Sequence, residues 1–151
     1  MKVYADNAAT TKMSKAARDV MVEYIDSYYG NPSSLYEIGQ IAAVKLMEAR
    51  EDVARCINAD AKDIYFTSGG SEADNQAIIS AAEYGRKKGK KHIISTAFEH
   101  HAVLHTLKKL EREGFEVTYL DVHENGIVTA EEVDAAIKDD TVLVTIMYAN
   151  N

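Results

Sequence analysis

The chain has 151 residues, 46% of them hydrophobic, and carries a formal net charge of -7. This length suffices for one domain with a substantial core, and the acidic balance argues against a nucleic-acid partner. Cys56 is the only cysteine, which excludes an internal disulfide, and no apolar segment is long enough to span a bilayer. We therefore expect a cytoplasmic protein that contacts neither nucleic acid nor membrane.

The first third of the chain is predicted to be mostly helical. Val3–Tyr4 is short and extended, and Ser14 caps a helix whose apolar residues recur at helical spacing. Pro32, the only proline, lies in the break after this helix. A second helix is predicted from about Leu35 to Ile57, and within it Cys56 is expected to be a half-buried packing residue.

Strands and helices then alternate along the rest of the sequence. The predicted strands are Ile64–Thr67, His92–Ser95, Phe115–Leu120 and Val142–Met147. The predicted helices between them are Glu72–Lys87, His101–Glu113 and Ala130–Ile137. Short, almost continuously apolar strands that alternate with helices are typical of a parallel sheet buried on both faces. The sequence therefore predicts an α/β fold with a parallel-rich sheet in a three-layer arrangement.

The turn Ser68–Ser71 is a candidate anion-binding site. It joins a predicted strand to a predicted helix and contains Gly69 and Gly70, so a ligand can approach the backbone closely. Free backbone N–H groups and the positive end of the helix dipole favour an anion such as phosphate at this position. The alternative is an ordinary capped turn, because Ser71 followed three residues later by Asp74 is also a capping-box pattern.

Two further polar clusters follow predicted strands, Glu99-His100-His101 and Asn150-Asn151. In open α/β sheets, ligands bind beyond the carboxyl ends of the strands, so the three clusters are expected to meet in one crevice. A phosphate site, a flat imidazole and an amide together favour pyridoxal phosphate over a dinucleotide, whose G-x-G-x-x-G turn is absent. No metal site is predicted, because adjacent histidines on a helix point apart. Asn150-Asn151 could also be a simple turn.

Six motifs, in order and at matching spacing, resemble the amino-terminal part of cysteine desulfurases. These enzymes belong to the class V aminotransferase branch of the fold-type-I pyridoxal-phosphate-dependent transferases. The motifs are Tyr4–Thr11, Gly30–Ser34, Phe66–Asn75, Glu99–Leu104, Gly114–Leu120 and Asp140–Asn151. The resemblance implies that residues 13–151 are the amino-terminal part of the cofactor-binding large domain. Residues 1–12 would form an arm or part of the smaller domain.

The resemblance also implies roles for individual residues. Gly70 and Ser71 match the pair that binds the phosphate of pyridoxal 5'-phosphate. His100 matches the catalytic histidine that stacks on the pyridine ring and helps to move protons, and Asn151 matches the asparagine that hydrogen-bonds the ring oxygen. Tyr36 stands where many relatives carry a histidine, and a tyrosine would not titrate near neutral pH.

The implied function is transfer of sulfur from L-cysteine, giving L-alanine, to a protein persulfide. The expected partners are a second copy of the chain in a homodimer and a sulfur-acceptor protein, either an iron–sulfur scaffold or a thiolation enzyme. The family's cofactor-binding lysine and nucleophilic cysteine have no counterpart in these residues, so the chain alone is expected to be inactive. The alternatives are another class V enzyme, such as a selenocysteine lyase or an aminotransferase, and a non-catalytic interaction module.

Overall fold

The structure, a computed structural model, describes residues 1–150. Residue contacts divide the chain into two compact units, Met1–Phe66 and Thr67–Asn151. Asn151 itself, and the cofactor contact expected from it, lie outside the described residues.

The first unit is helical. Helix α1 (Lys15–Ser27) begins after an N-cap at Ser14, as predicted, and contains no buried residue. Helix α2 (Glu37–Ile57) is followed by a short 3-10 turn, Ala61–Asp63. The expected extended segment at the amino terminus forms no strand, and Cys56 is exposed rather than half-buried because it lies outside the buried face of α2.

The loop before α2 packs directly on the first turn of that helix. A Cβ atom added at Gly39 would lie 2.6 Å from the Asn31 carbonyl oxygen and 2.7 Å from Ser34 Cβ. Such distances leave no room for a side chain. Glycine at this position therefore allows the loop and the helix to approach each other.

The predicted strand Ile64–Thr67 is wrong. These residues pair with no strand within residues 1–150. Instead, the Ile64 carbonyl accepts a hydrogen bond from the Arg50 guanidinium, which also lies 5.0 Å from the centre of the Phe66 ring. An apolar run favours extended backbone, but a strand also requires a neighbour whose backbone groups pair with it.

The second unit contains the sheet. Its elements, in order, are α3 (Gly70–Arg86), β1 (His92–Thr96), α4 (His101–Arg112), β2 (Glu116–Leu120), α5 (Ala130–Ala136) and β3 (Thr141–Val144). Both neighbours of β1 are parallel to it, and the order is β2-β1-β3, which confirms the α/β class and the parallel sheet. Strand β3 ends at Val144 rather than at the predicted Met147, although Thr145 still donates to the Ile94 carbonyl at 2.9 Å.

Every residue of β1 is buried, so the sheet supplies the centre of the core. Helices α3 and α4 cover one face, where the core cluster consists of Ile78, Ala82, Ile93, Val103, Leu107, Leu110 and Phe115. The crossovers β1-α4-β2 and β2-α5-β3 run in opposite directions along the sheet. Right-handed crossovers then place α4 and α5 on opposite faces, which gives three layers.

Two further properties concern the chain within residues 1–150. None of its helices combines the length and the apolar character needed to cross a bilayer. Among the side chains that the structure describes, no three from histidine, cysteine, aspartate or glutamate are grouped so as to hold a metal ion.

Candidate functional site

Helices α3 and α4 bring their amino ends to the same edge of the sheet. Helix α3 leads into β1 and α4 leaves it, so both run opposite to β1 and parallel to each other, in contact along their length. Their first residues therefore lie near the carboxyl end of β1. The edge carries the Ser68–Ser71 turn, which precedes α3, and His100, which precedes α4.

The amino end of α3 differs from the capped turn considered above. Gly69 is the N-cap residue with extended backbone, and Ser71 lies inside the helix and caps nothing. Glu72 instead ties the turn to the helix, since its carboxylate accepts hydrogen bonds from the Ser68 hydroxyl and the Ser68 N–H, both at 2.6 Å. These two bonds lower the pKa of Glu72, the hydroxyl having the larger effect. The capping box between Ser71 and Asp74 is therefore wrong.

Because Ser71 is not used as a cap, the start of α3 remains available to a ligand. No acceptor within residues 1–150 pairs with the N–H groups of Gly70, Ser71 or Glu72. A Cβ atom added at Gly69 or Gly70 would meet nothing within 4 Å, and Ser71 is exposed. Free N–H groups beside a hydroxyl at a helix amino end suit a phosphate.

His100 is the N-cap residue of α4. Its Nδ1 atom accepts a hydrogen bond from the Ala102 N–H at 3.1 Å. In the neutral ring the proton therefore resides on Nε2, which is left to act as a donor. The His101 ring lies 6.3 Å from the His100 ring, at an angle of 60° between the planes. The His100 side chain is exposed, so an aromatic ligand can reach it.

Glu99 also belongs to the site. It lies in one of the sequence motifs, but no role was predicted for it from the sequence. Its side chain is buried, and Oε1 accepts hydrogen bonds from the Met147 N–H at 2.7 Å and from Thr96 Oγ1 at 3.2 Å. The Asn150 side-chain amide also donates to the Phe98 carbonyl. The segments that follow β1 and β3 are thus tied together at the edge where His100 lies.

A cleft of about 410 Å³ opens at the same edge, between the segments that follow all three strands. Its walls are mainly apolar and include Phe98, Val122, Ile127, Ile146, Met147 and Tyr148. Site residues Gly70, Ser71 and His100 do not line it. The polar turn and the apolar cleft are therefore separate features of one edge.

The chain matches the family model described as "Aminotransferase class-V" over residues 3–151. It is 50% identical over 149 residues to the "Cysteine desulfurase IscS" of Methanosarcina thermophila, covering 99% of this chain and 37% of that relative. The chain thus spans little more than a third of that relative's length.

Two solved structures are also similar. One, described as a "NifS-like protein", superposes with a TM-score of 0.93 at 39% identity, covering 99% of this chain and 41% of the other. The second, "SspA in complex with cysteine", gives a TM-score of 0.87 at 36% identity, covering 95% of this chain and 41% of the other.

Proposed function

The chain belongs to the class-V aminotransferase family, and from this premise we propose that it binds pyridoxal 5'-phosphate as part of a cysteine desulfurase. Gly70 and Ser71 would hold the phosphate, through the free N–H groups at the start of α3 and the Ser71 hydroxyl. His100 would lie against the pyridine ring, and Asn151 would donate to the ring oxygen. When bound, the cofactor supplies a ring that withdraws electrons from the substrate.

The observation that carries this proposal is that an anion-binding group and an aromatic ring lie at the same edge of the sheet. The free N–H groups of α3, which suit a phosphate, and the imidazole of His100 lie at the amino ends of adjacent parallel helices. A ligand that has both an anionic and an aromatic part can contact both. In that position, the Nε2–H of the neutral His100 ring can donate or exchange a proton with a substrate above the sheet edge.

The whole protein's reaction is part of the same proposal. The substrate would be L-cysteine, the products L-alanine and a protein persulfide, and the acceptor an iron–sulfur scaffold or a thiolation enzyme. Support comes from relatives that are named cysteine desulfurases and from the structural neighbour described as a complex with cysteine. A cytoplasmic homodimer completes the proposal, with residues 1–12 as an arm or part of the smaller domain and residues 13–151 in the large domain.

Binding of pyridoxal phosphate to the chain, measured by titration calorimetry, tests the cofactor site. Ser71→Ala removes the hydroxyl and is expected to weaken binding by at least about tenfold, because a hydrogen bond to a charged group contributes about 1.5–3 kcal/mol. Ser80→Ala, an exposed position further along α3, is the matched control and should bind like the wild type. His100→Ala should also weaken binding, whereas His105→Ala should not.

Two results would contradict the proposal. One is wild-type binding that inorganic phosphate fails to compete with, because the anion site would then be elsewhere. The other is equal affinity for Ser71→Ala and Ser80→Ala, together with no effect of His100→Ala.

A further inference from the structure

A chain of hydrogen bonds connects the start of α3 to the start of α4. The Asn75 side-chain amide donates to the Ser71 carbonyl at 2.5 Å, and Thr106 Oγ1 donates to Asn75 Oδ1. Thr106 Oγ1 also lies 2.8 Å from the Ala102 carbonyl, and the Ala102 N–H is bound by His100. The connection thus extends from one candidate ligand-binding residue to the other.

Chemistry determines the direction of these bonds. The Ser71 carbonyl can only accept, so the NH2 group of Asn75 must face it and Oδ1 must face Thr106. Two oxygens in contact need a proton between them, and only the Thr106 hydroxyl can supply it. The same proton is shared with the Ala102 carbonyl as a three-centre bond.

The two linking residues, Asn75 and Thr106, occupy equivalent positions along their helices. Asn75 is the sixth residue of α3 and Thr106 is the sixth residue of α4. Thr106 is 3% exposed and borders the apolar contact between the helices. Sliding of one helix past the other would leave Thr106 with only the Ala102 carbonyl of its own helix. The partly buried Asn75 Oδ1 atom would then lose the Thr106 donor, which destabilises the structure. The bond therefore fixes the axial register of α3 and α4.

We propose that Asn75 and Thr106 are positioning residues, which set the distance between the phosphate-binding turn at Ser71 and the imidazole of His100. This inference rests on the function proposed above. Neither side chain needs to touch the ligand, because each acts through the helix whose amino end it fixes.

Ligands differ in whether they contact the turn at Ser71, the imidazole of His100, or both. Inorganic phosphate can occupy only the turn at Ser71, and pyridoxal, which lacks the phosphate, can contact only His100. Pyridoxal phosphate must contact both at once, so it alone depends on their separation. Loss of the link should reduce this joint binding and leave the single-site ligands unaffected.

The experiment uses Thr106→Val, which keeps the shape of the side chain and removes the hydroxyl. Affinities for pyridoxal phosphate, pyridoxal and inorganic phosphate are measured on the full chain by calorimetry. We expect pyridoxal phosphate to bind about fivefold more weakly and the two smaller probes to bind as they do to the wild type. Thr106→Ser should restore affinity, and Asn75→Leu should behave like Thr106→Val.

Thr118→Val is the matched control, because the side chain of Thr118 also forms a hydrogen bond, to His92 on β1, but forms none with α3 or α4 among the described residues. It should lower thermal stability without changing any of the three affinities. If Thr106→Val and Thr118→Val give equal affinities for pyridoxal phosphate while Ser71→Ala still weakens binding, the positioning role is wrong and the proposed function stands. If Ser71→Ala and His100→Ala have no effect either, the proposed function fails.

Discussion

At the scale of single residues, His92 is the titratable group most enclosed by the sheet. Its ring is fully buried on β1, with Nδ1 2.7 Å from Thr141 Oγ1 and Nε2 2.8 Å from Thr118 Oγ1. Burial is the main cause that lowers the pKa of His92, and the charge of Lys138 lowers it further, against two nearby carboxylates. The neutral ring therefore links all three strands.

The lowered pKa makes stability depend on pH in the acid range. Below the ordinary histidine pKa of about 6.5, His92 binds a proton in the unfolded chain but not in the folded chain. The free energy of unfolding therefore falls as pH falls. The loss is at most about 1.4 kcal/mol per pH unit, continues down to the folded pKa, and is absent above about pH 6.5. Urea unfolding at pH 7.0, 6.0 and 5.0 measures it.

His92→Gln should remove this slope, and His105→Gln, at an exposed position on α4, serves as the control that retains it. An unchanged slope between pH 7 and 5 in His92→Gln would show that His92 is not the group responsible.

The candidate site was predictable from sequence only in part. The small-residue turn at Ser71 and the histidine at His100 each form a local pattern at the start of a helix, and local patterns can be read along a sequence. The bond between Thr106 and Asn75 joins residues 31 positions apart and exists only because two helices pack in register. The buried carboxylate of Glu99 likewise accepts a hydrogen bond from Met147, a partner 48 residues away.

At the scale of elements, α3 packs on the sheet through a glycine. A Cβ atom added at Gly85 would lie 2.8 Å from Val142 Cβ and 3.1 Å from Val142 Cγ1. Glycine within a helix is ordinarily unfavourable by about 1 kcal/mol relative to alanine. Its presence here lets the end of α3 approach β3.

Gly85→Ala is therefore expected to destabilise the fold although it improves helix propensity. Overpacking costs about 1–3 kcal/mol and the propensity gain is about 1 kcal/mol, so a net loss of up to about 2 kcal/mol is expected in the free energy of unfolding. Denaturant unfolding measures it, with Ser80→Ala on the exposed side of α3 as a neutral control. Adding Val142→Ala should recover part of the loss, and a double variant as unstable as the sum of the two would contradict the steric explanation.

Helices were predicted more closely than strands, for a physical reason. Helix α2 was expected at 35–57 and is found at Glu37–Ile57, and α4 was expected at 101–113 and is found at His101–Arg112. Their hydrogen bonds are internal, so the local sequence specifies them. A strand depends on another segment, and the apolar run Ile64–Thr67 remains unpaired among the described residues.

At the scale of the whole molecule, burial is distributed unevenly. All five residues of β1 are buried and pair with β2, and three of them, His92–Ile94, also pair with β3. By contrast, the 13 residues of α1 include none that is buried. Isolated helices of that length are marginal in water. The two elements should therefore differ widely in local stability.

Hydrogen exchange followed by mass spectrometry measures this difference. Amides of His92–Thr96 are expected to exchange only through global unfolding, and those of Lys15–Ser27 through local opening at low free energy. Comparable protection of the two segments would mean that α1 is held by contacts outside the described residues. If those contacts come from a second copy of the chain, the protection of α1 should fall when the protein is diluted.

The order β2-β1-β3 has a consequence for biosynthesis. Strand β1 is made first, yet both of its neighbours come later, pairing His92 with Glu116 and with Thr141. At about 5–20 residues per second, the ribosome needs about 2–9 s to add residues 97–140. During that interval, the apolar segment that becomes the centre of the core is displayed by the nascent polypeptide without its second neighbour, and we expect chaperones to engage it there.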